Sequence, residues 1–266
     1  MNKIAIVIPA RYGSTRFPGK PLAKIGGKTM LQRVCEIAQQ AADVLDDCTV
    51  AVATEDQRIY EHAQSLGVMS IMTPEACPTG SDRVLAAIEA MEDEPDFVVN
   101  LQGDTPFTPS SAISALIKTW LAEPELPVVT PVVQLSWEDL DALRAKKEQT
   151  PFSGTTCIRD ENGKALWFSK NIIPAIRGED KLRADTDHSP VFQHIGIYGF
   201  RTDALRNFVR HSKSFYETLE GLEQLRMLEN GITIQTVQIE TAIGAVPAGI
   251  DSPEDLERAA KMLAGM

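Results

Sequence analysis

Cysteine is scarce in this chain and poorly spaced for shared chemistry: Cys35, Cys48, Cys77 and Cys157 form no C-x-x-C pair. A disulfide framework and a cysteine-bound zinc are therefore not expected, and reduced thiols are. Histidine is equally sparse, with 4 residues and no two at metal-ligand spacing, which argues against a transition-metal centre. Long apolar runs are missing too. None reaches membrane-spanning length, and the N-terminal apolar stretch is too short for a signal-peptide core, so a soluble cytoplasmic protein is expected. Positive charge is in deficit, with 26 Lys and Arg against 37 Asp and Glu and a net charge of −11. That balance argues against a nucleic-acid or anionic-membrane partner, whose binding needs a basic face. Neither glycine-rich nucleotide fingerprint, G-x-x-x-x-G-K-S/T or G-x-G-x-x-G, occurs, so neither a P-loop NTPase nor a dinucleotide-binding fold is supported.

What is present is a strand–helix alternation. Residues 3–8 (KIAIVI) are short, apolar and rich in β-branched side chains, the pattern of a buried parallel strand. Helical periodicity follows from Met30 to Ala41, a strand pattern from Cys48 to Ala53, and a helical one from Glu55 to Leu66. Val68–Met72 and Asp96–Leu101 read as strands on either side of a helix at Arg83–Met91. The alternation predicts an α/β fold with a mostly parallel central sheet flanked by helices. Later come strand candidates at Pro127–Val133 and Ile232–Ile239, and helix candidates at Trp137–Lys147 and Leu219–Leu228. The polar stretch 178–189 reads as an exposed loop, and Ser252-Pro253-Glu254-Asp255 as a capped helix start. No repeat, low-complexity run or linker interrupts the 266 residues. A single domain over 1–266 is expected, with a less regular subregion at 154–215.

In open α/β sheets ligands lie beyond the carboxyl ends of the strands, so the loops there carry the functional signal. The first, "IPARYGSTRFPGKP", places Arg11, Arg16 and Lys20 among two glycines and two hydroxyls, directly after a buried strand. Such a density of cations and close-approach backbone suits a polyphosphate. A solvated loop with locally paired cations is the alternative. The second, "NLQGDTP", puts Asp104 on a glycine-assisted turn after residues 97–99. An aspartate there can hold Mg²⁺ against phosphate oxygens, although Gly-Asp is also ordinary turn chemistry. Asp251, ahead of the last helix, is a candidate second carboxylate.

Read in order, "PARYGSTRFPGKPL", "TGSDR", "NLQGDTP", "HIGIYGFR", "LEGLEQLRMLENG" and "GIDSPEDLER" resemble the motif set of the 3-deoxy-manno-octulosonate (Kdo) cytidylyltransferases. The likeness runs from residue 4 to about residue 258. It implies a Rossmann-like nucleotidyltransferase fold and the reaction of CTP with Kdo to give CMP-Kdo and pyrophosphate, feeding lipopolysaccharide assembly. It further implies that Arg11, Arg16 and Lys20 cradle the triphosphate. Ala10, Gly80, Ser81 and Arg83 would meet the cytidine, and Gln102 would lie near ribose and sugar. Asp104 and Asp251 would hold Mg²⁺, with Lys20, Arg11 and Asp104 as the catalytic set. The sugar side would comprise Arg177, His194, Tyr198, Glu223 and Gln224, and the assembly a homodimer paired through the 154–215 subregion. From the residues alone, His194 and Tyr198 can equally be hydrogen-bonded core groups, and Glu223 and Gln224 helix-surface polars. Glu217, Glu220 and Arg226 read as ordinary helix charges.

Three positions depart from the family pattern. Lys170 stands where arginine is usual, Thr156 where lysine is common, and Thr105 where glutamate or glutamine is usual. Exchanging arginine for lysine loses a bidentate fork, and two of the three changes fall in the part expected to see the sugar. An 8-amino-Kdo, another 2-keto sugar acid or a phosphonate is therefore the alternative acceptor.

Overall fold

The computed structural model describes residues 2–13, 17–45, 47–240, 249–250 and 252–264. In chain order the strands begin with β1 (Ile4–Pro9), a two-residue pair β2 (Lys24–Ile25) and β3 (Lys28–Thr29), β4 (Cys48–Thr54), β5 (Met69–Met72) and β6 (Phe97–Asn100). They continue with β7 (Val128–Ser136), β8 (Thr155–Arg159), β9 (Ala165–Ser169), β10 (His188–His194), β11 (Tyr198–Arg201) and β12 (Ile234–Gln238). The first helices are α1 (Met30–Ala42), α2 (Gln57–Ser65), α3 (Gly80–Glu89), α4 (Ser110–Ala122) and α5 (Trp137–Gln149). The later ones are α6 (Glu179–Asp185), α7 (Thr202–Arg210), α8 (Phe215–Glu220), α9 (Glu223–Glu229) and α10 (Pro253–Ala264).

One sheet runs β5-β4-β1-β6-β11-β7-β10-β8-β9, with β12 pairing β7. The fold is α/β with a mostly parallel central sheet: β5, β4, β1 and β6 all run the same way, as does β12 along β7. Strand β11 enters antiparallel between β6 and β7, and the outer strands β10, β8 and β9 continue antiparallel.

Strand β1 shows why the sheet needs cover on both sides. Its residues alternate faces, and all six are buried. Ile4, Ile6 and Ile8 pack with Leu31, Val34 and Ala38 of α1 and Ile113, Leu116 and Ile117 of α4. Ala5 and Val7 pack on the other side with Val84, Ala87 and Ile88 of α3 and Leu205 and Phe208 of α7. Burial of such side chains stabilises by roughly 1.5–3 kcal/mol each.

The elements depart from the sequence pattern in several places, and neither the β2–β3 pair nor α7 belongs to the strand–helix reading. Helix α4 is absent from the strand–helix reading, yet it buries Ala112, Ile113, Leu116, Ile117 and Trp120 at helical spacing. The polar stretch at 178–189 contains α6, which buries nothing. That helix is held instead by Glu179, which accepts from Arg144 of α5 (2.8 Å) and from Arg183 one turn on (2.7 Å). The helix expected over Leu219–Leu228 is two helices, because Gly221 takes a left-handed conformation at φ 65° and caps α8. The capped start of α10 does form: Asp255 N–H donates to Ser252 Oγ (3.2 Å), and Ser252 N–H donates to Asp255 Oδ2 (3.0 Å).

Candidate active site

Strands β1 and β6 run side by side in parallel, β6 ending opposite Val7 two residues before β1 does, so the loops leaving them meet. The chain exits β1 with Ala10 N–H on Ala53 O (2.9 Å). It turns back at Gly19, whose φ of 71° favours glycine, and its N–H bonds Tyr12 O at 2.9 Å. Lys20-Pro21-Leu22 then forms a 3₁₀ turn that aims Lys20 inward. Ser14, Thr15 and Arg16 lie outside the described residues.

The loop after β6 leans directly on this exit. A Cβ on Gly103 would stand 2.9 Å from Pro9 O, so only glycine permits the approach. The close approach brings Asp104 Oδ2 to 2.8 Å from Lys20 Nζ. Gln102 is oriented by donating Nε2–H to Asn100 Oδ1 (2.9 Å), and Thr105 Oγ1 closes the turn on Gln102 O (2.8 Å). Asp251 also lies outside the described residues. The segment just before it reaches this loop, since Ile250 N–H donates to Asp104 O at 2.9 Å.

A third wall comes from the start of α3. Thr79 and Asp82 form a reciprocal capping box, and the freed N-terminal turn carries Gly80, Ser81 and Arg83. Arg83 is buried, donating from Nη1 to Thr73 Oγ1 (2.6 Å) with Glu55 Oε2 at 2.9 Å. Together these walls enclose a cavity of about 360 Å³ lined by Ala10, Arg11, Lys20, Gly80, Arg83, Gln102, Asp104 and Glu223, among others.

Glu223 links this cavity to the antiparallel half. It accepts from Ser81 Oγ (3.2 Å), which itself accepts from Asn100 Nδ2 (3.3 Å). Burial raises its carboxyl pKa, with Arg226 opposing the shift. Beyond it stand Tyr198 and His194, ring centroids 5.3 Å apart. Burial, then the charge of Glu223, pushes the Tyr198 hydroxyl up. Burial, reinforced by nearby Lys170, pulls His194 down to about 3. The neutral tautomer follows from its partner. Thr130 Oγ1 donates to Ile197 O (2.7 Å), so it accepts from His194 Nε2 (2.8 Å) and leaves Nδ1 as the acceptor.

Of the residues singled out from sequence, Ala10, Arg11, Lys20, Gly80, Arg83, Gln102, Asp104 and Glu223 thus share one cavity. Ser81 donates to Glu223, Tyr198 feels its charge and His194 packs on Tyr198, none of the three lining the cavity, and Gln224 is buried beside Glu223. Arg177 is exposed on the loop before α6 and does not line the cavity. Thr156 is buried and structural in its contacts, donating to Asn171 O (2.6 Å) and accepting from Ile173 N–H (3.1 Å).

The three residues read as ordinary helix charges each have a specific structural partner. Glu217 and Arg226 form a buried bidentate pair at 2.8 and 2.6 Å. Glu220 fixes the end of β9 by accepting from Ser169 Oγ (2.8 Å) and Lys170 N–H (2.6 Å). Glu55 was missed as well, although an acid at the carboxyl end of β4 is the same signal that exposed Asp104 on β6.

A crevice at the carboxyl ends of parallel strands, lined by cations and by the carboxylates of Asp104 and Glu223, is the site of an α/β enzyme that handles a phosphorylated ligand. The cytidylyltransferase family model matches residues 5–234. The chain is 41% identical over 98% of its length to a 3-deoxy-manno-octulosonate cytidylyltransferase of Maricaulis maris, covering 97% of that protein. It is 38% identical to one of Chlamydia abortus, covering 99% of this chain and 94% of that one. A solved CMP:2-keto-3-deoxy-manno-octonic acid synthetase in complex with CTP superposes with a TM-score of 0.82 at 35% identity over 99% of each chain. The chain belongs to the cytidylyltransferases, and among them to the 3-deoxy-manno-octulosonate cytidylyltransferase family. It is a nucleotidyltransferase.

Proposed function

We propose that the protein transfers CMP from CTP to Kdo, giving CMP-Kdo and pyrophosphate for lipopolysaccharide assembly in the cytoplasm. The observation that carries this is the single cavity in which Arg11, Lys20, Arg83, Gln102 and Asp104 converge and from which Glu223 leads to Tyr198 and His194. The anomeric hydroxyl of the sugar acid attacks the α-phosphorus of CTP. A new P–O bond forms as the bond to the β-phosphate bridge breaks, and the hydroxyl proton passes to water. Such transfer depends on alignment and charge neutralisation and uses no protein nucleophile. Arg11 and Lys20 meet the triphosphate and follow the charge that collects on pyrophosphate. Arg83, with Ala10, Gly80 and Ser81, receives the cytidine. Gln102, His194, Tyr198, Glu223 and Gln224 orient the sugar through their donors and acceptors.

The site also fits Mg²⁺. The donors facing the cavity beside Lys20 are oxygens, led by Asp104, which suits a hard cation that takes its remaining ligands from phosphates. Among the described residues no third carboxylate, cysteine or histidine joins it. Asp104 would hold the ion, with Asp251 as the candidate second ligand. When bound, Mg²⁺ supplies charge neutralisation at phosphate oxygens and acidifies a coordinated hydroxyl.

Assembly as a homodimer through the 154–215 subregion is part of the same reading. It is supported by the exposed apolar side chains of Leu166 (53%) and Leu182 (38%) in that region, and by β9 forming the sheet's outer edge. Sedimentation at micromolar concentration is expected to give the dimer mass, and monomer alone rejects it. The reaction is tested by pyrophosphate release with each of four NTPs and a panel of Kdo, 8-amino-Kdo, a nonulosonic acid and a phosphonate, with and without Mg²⁺. CTP with Kdo and Mg²⁺ is expected to give the highest kcat/KM. A higher value for another acid reassigns the acceptor, and a higher value for another nucleotide rejects the proposal.

A further inference from the structure

Arg83 is 4% exposed, and a guanidinium so enclosed needs a counter-charge. Glu55 provides it, with Oε2 2.9 Å from Arg83 Nη1. That oxygen is buried yet accepts no aligned hydrogen bond, while Nη1 donates to Thr73 Oγ1 at 2.6 Å. The second carboxylate oxygen is committed elsewhere: Glu55 Oε1 accepts Tyr12 N–H at 3.0 Å. Tyr12 follows Arg11, which lines the cavity. One carboxylate therefore fastens both the buried guanidinium and the start of the cationic loop.

The geometry leaves Arg83 with donors to spare. Its Nε and Nη2 form no hydrogen bond among the described residues, and Arg83 lines the cavity. Two neighbouring N–H donors in a rigid fork match two neighbouring acceptors. Cytosine offers that pair at O2 and N3. Uracil places a donor, N3–H, where the second acceptor should be, so the same fork opposes it.

We propose that Glu55 is a positioning residue that sets nucleobase selectivity, holding the Arg83 fork in the orientation that accepts cytosine and tying it to the phosphate loop. The proposal rests on the reading of this cavity as the CTP site. Glu55 does not line the cavity, so it acts through Arg83 and not on the base.

The test is the ratio of CTP to UTP dissociation constants, measured by calorimetry on the full chain. Glu55→Gln keeps an acceptor for Tyr12 N–H but removes the charge opposite Arg83. The preference for CTP is expected to fall about tenfold or more, with the Kd for Kdo unmoved. Thr73→Val, which removes the other partner of Nη1, is expected to lower the ratio in the same direction by less. Arg83→Lys separates the two ideas. If it abolishes the preference while Glu55→Gln leaves it intact, the role of Glu55 is overturned and the base-binding role of Arg83 stands. If both leave it intact, the CTP assignment of this pocket falls and the proposal with it. Should the Gln variant fail to fold, Glu55→Asp is measured instead. It keeps the charge but is one methylene shorter, so the same loss is expected, and an unchanged ratio overturns the proposal.

Discussion

At the parallel end of the sheet, charged groups stand at the rim of an open cavity, with Lys20 and Asp104 facing each other at 14% and 30% side-chain exposure. At the antiparallel end the polar groups are enclosed and pressed toward neutrality: His194 falls to about 3, and the pKa values of Tyr198 and Glu223 rise. The contrast follows from the chemistry proposed for each end. A departing polyanion needs cations that can approach and follow it, and these must stay partly hydrated to remain mobile. A hydroxylated sugar needs donors and acceptors whose protonation does not drift, and burial fixes that state. The most deeply buried charges of the antiparallel end, Glu217 and Arg226, are closed on each other in a bidentate pair and serve the fold.

The largest expected effect comes from opening that pair. Arg226→Ala leaves the Glu217 carboxylate buried without its partner, and a loss of about 3–5 kcal/mol in unfolding free energy is expected. Urea denaturation measures it, and a loss below about 1 kcal/mol would show that the pair does not organise this end. The open charges should behave differently, costing function with little stability. Asp104→Asn is expected to unfold normally but turn over about 100-fold more slowly with Mg²⁺ present, because a neutral ligand holds the ion poorly. Near-normal pyrophosphate release by this variant rejects the metal assignment.

Lys20→Ala should lose roughly 1.5–3 kcal/mol of transition-state stabilisation with CTP, read as kcat/KM, while the KM of the acid holds steady. Silence in both Lys20→Ala and Arg11→Ala returns the loop to solvated surface. His194 gives the enclosed end a pH signature. Its folded pKa lies below the unfolded value of 6.5, so the unfolded chain binds the extra proton. Stability from this group is complete above about pH 6.5 and is lost as pH falls through the window below it, by up to about 1.4 kcal/mol per unit. His194→Gln should flatten that acid limb, and an identical limb in both proteins would mean that His194 is not held neutral. The smallest effect is expected at Arg177, which is exposed and outside the cavity. Arg177→Ala should change kcat/KM for the acid by less than about threefold. A large rise in KM would restore it to the sugar side.

The parallel end was largely legible in the sequence. Residues 3–8 announce a buried strand by composition, and the loops after β1 and β6 carry their cations and aspartate within a few residues of a strand end, where the ligand rule applies directly. Ser252 and Asp255 form their cap across three residues, so that feature is local as well. The antiparallel end was less so. Glu217 and Arg226 sit on either side of Gly221, whose left-handed turn swings α9 back so that the two side chains meet; a continuous helical pattern hides this. Glu55 and Arg83 are 28 positions apart and are joined only because β4 and α3 both pack around β1.

Sequence by itself determined the sheet strands and the helices of the first hundred residues, though not the short β2–β3 pair, and that a cluster of cations and an aspartate would leave the sheet at its carboxyl ends. These are matters of local period and of turn chemistry, each settled within a few residues. Tertiary structure alone decided which charges are free and which are spent. Whether a carboxylate is a ligand, a counter-ion or a strut depends on which distant donor packs against it and on how much water is left. Glu217, Glu220, Glu223 and Asp104 are the same chemistry in the sequence and four different things in the fold.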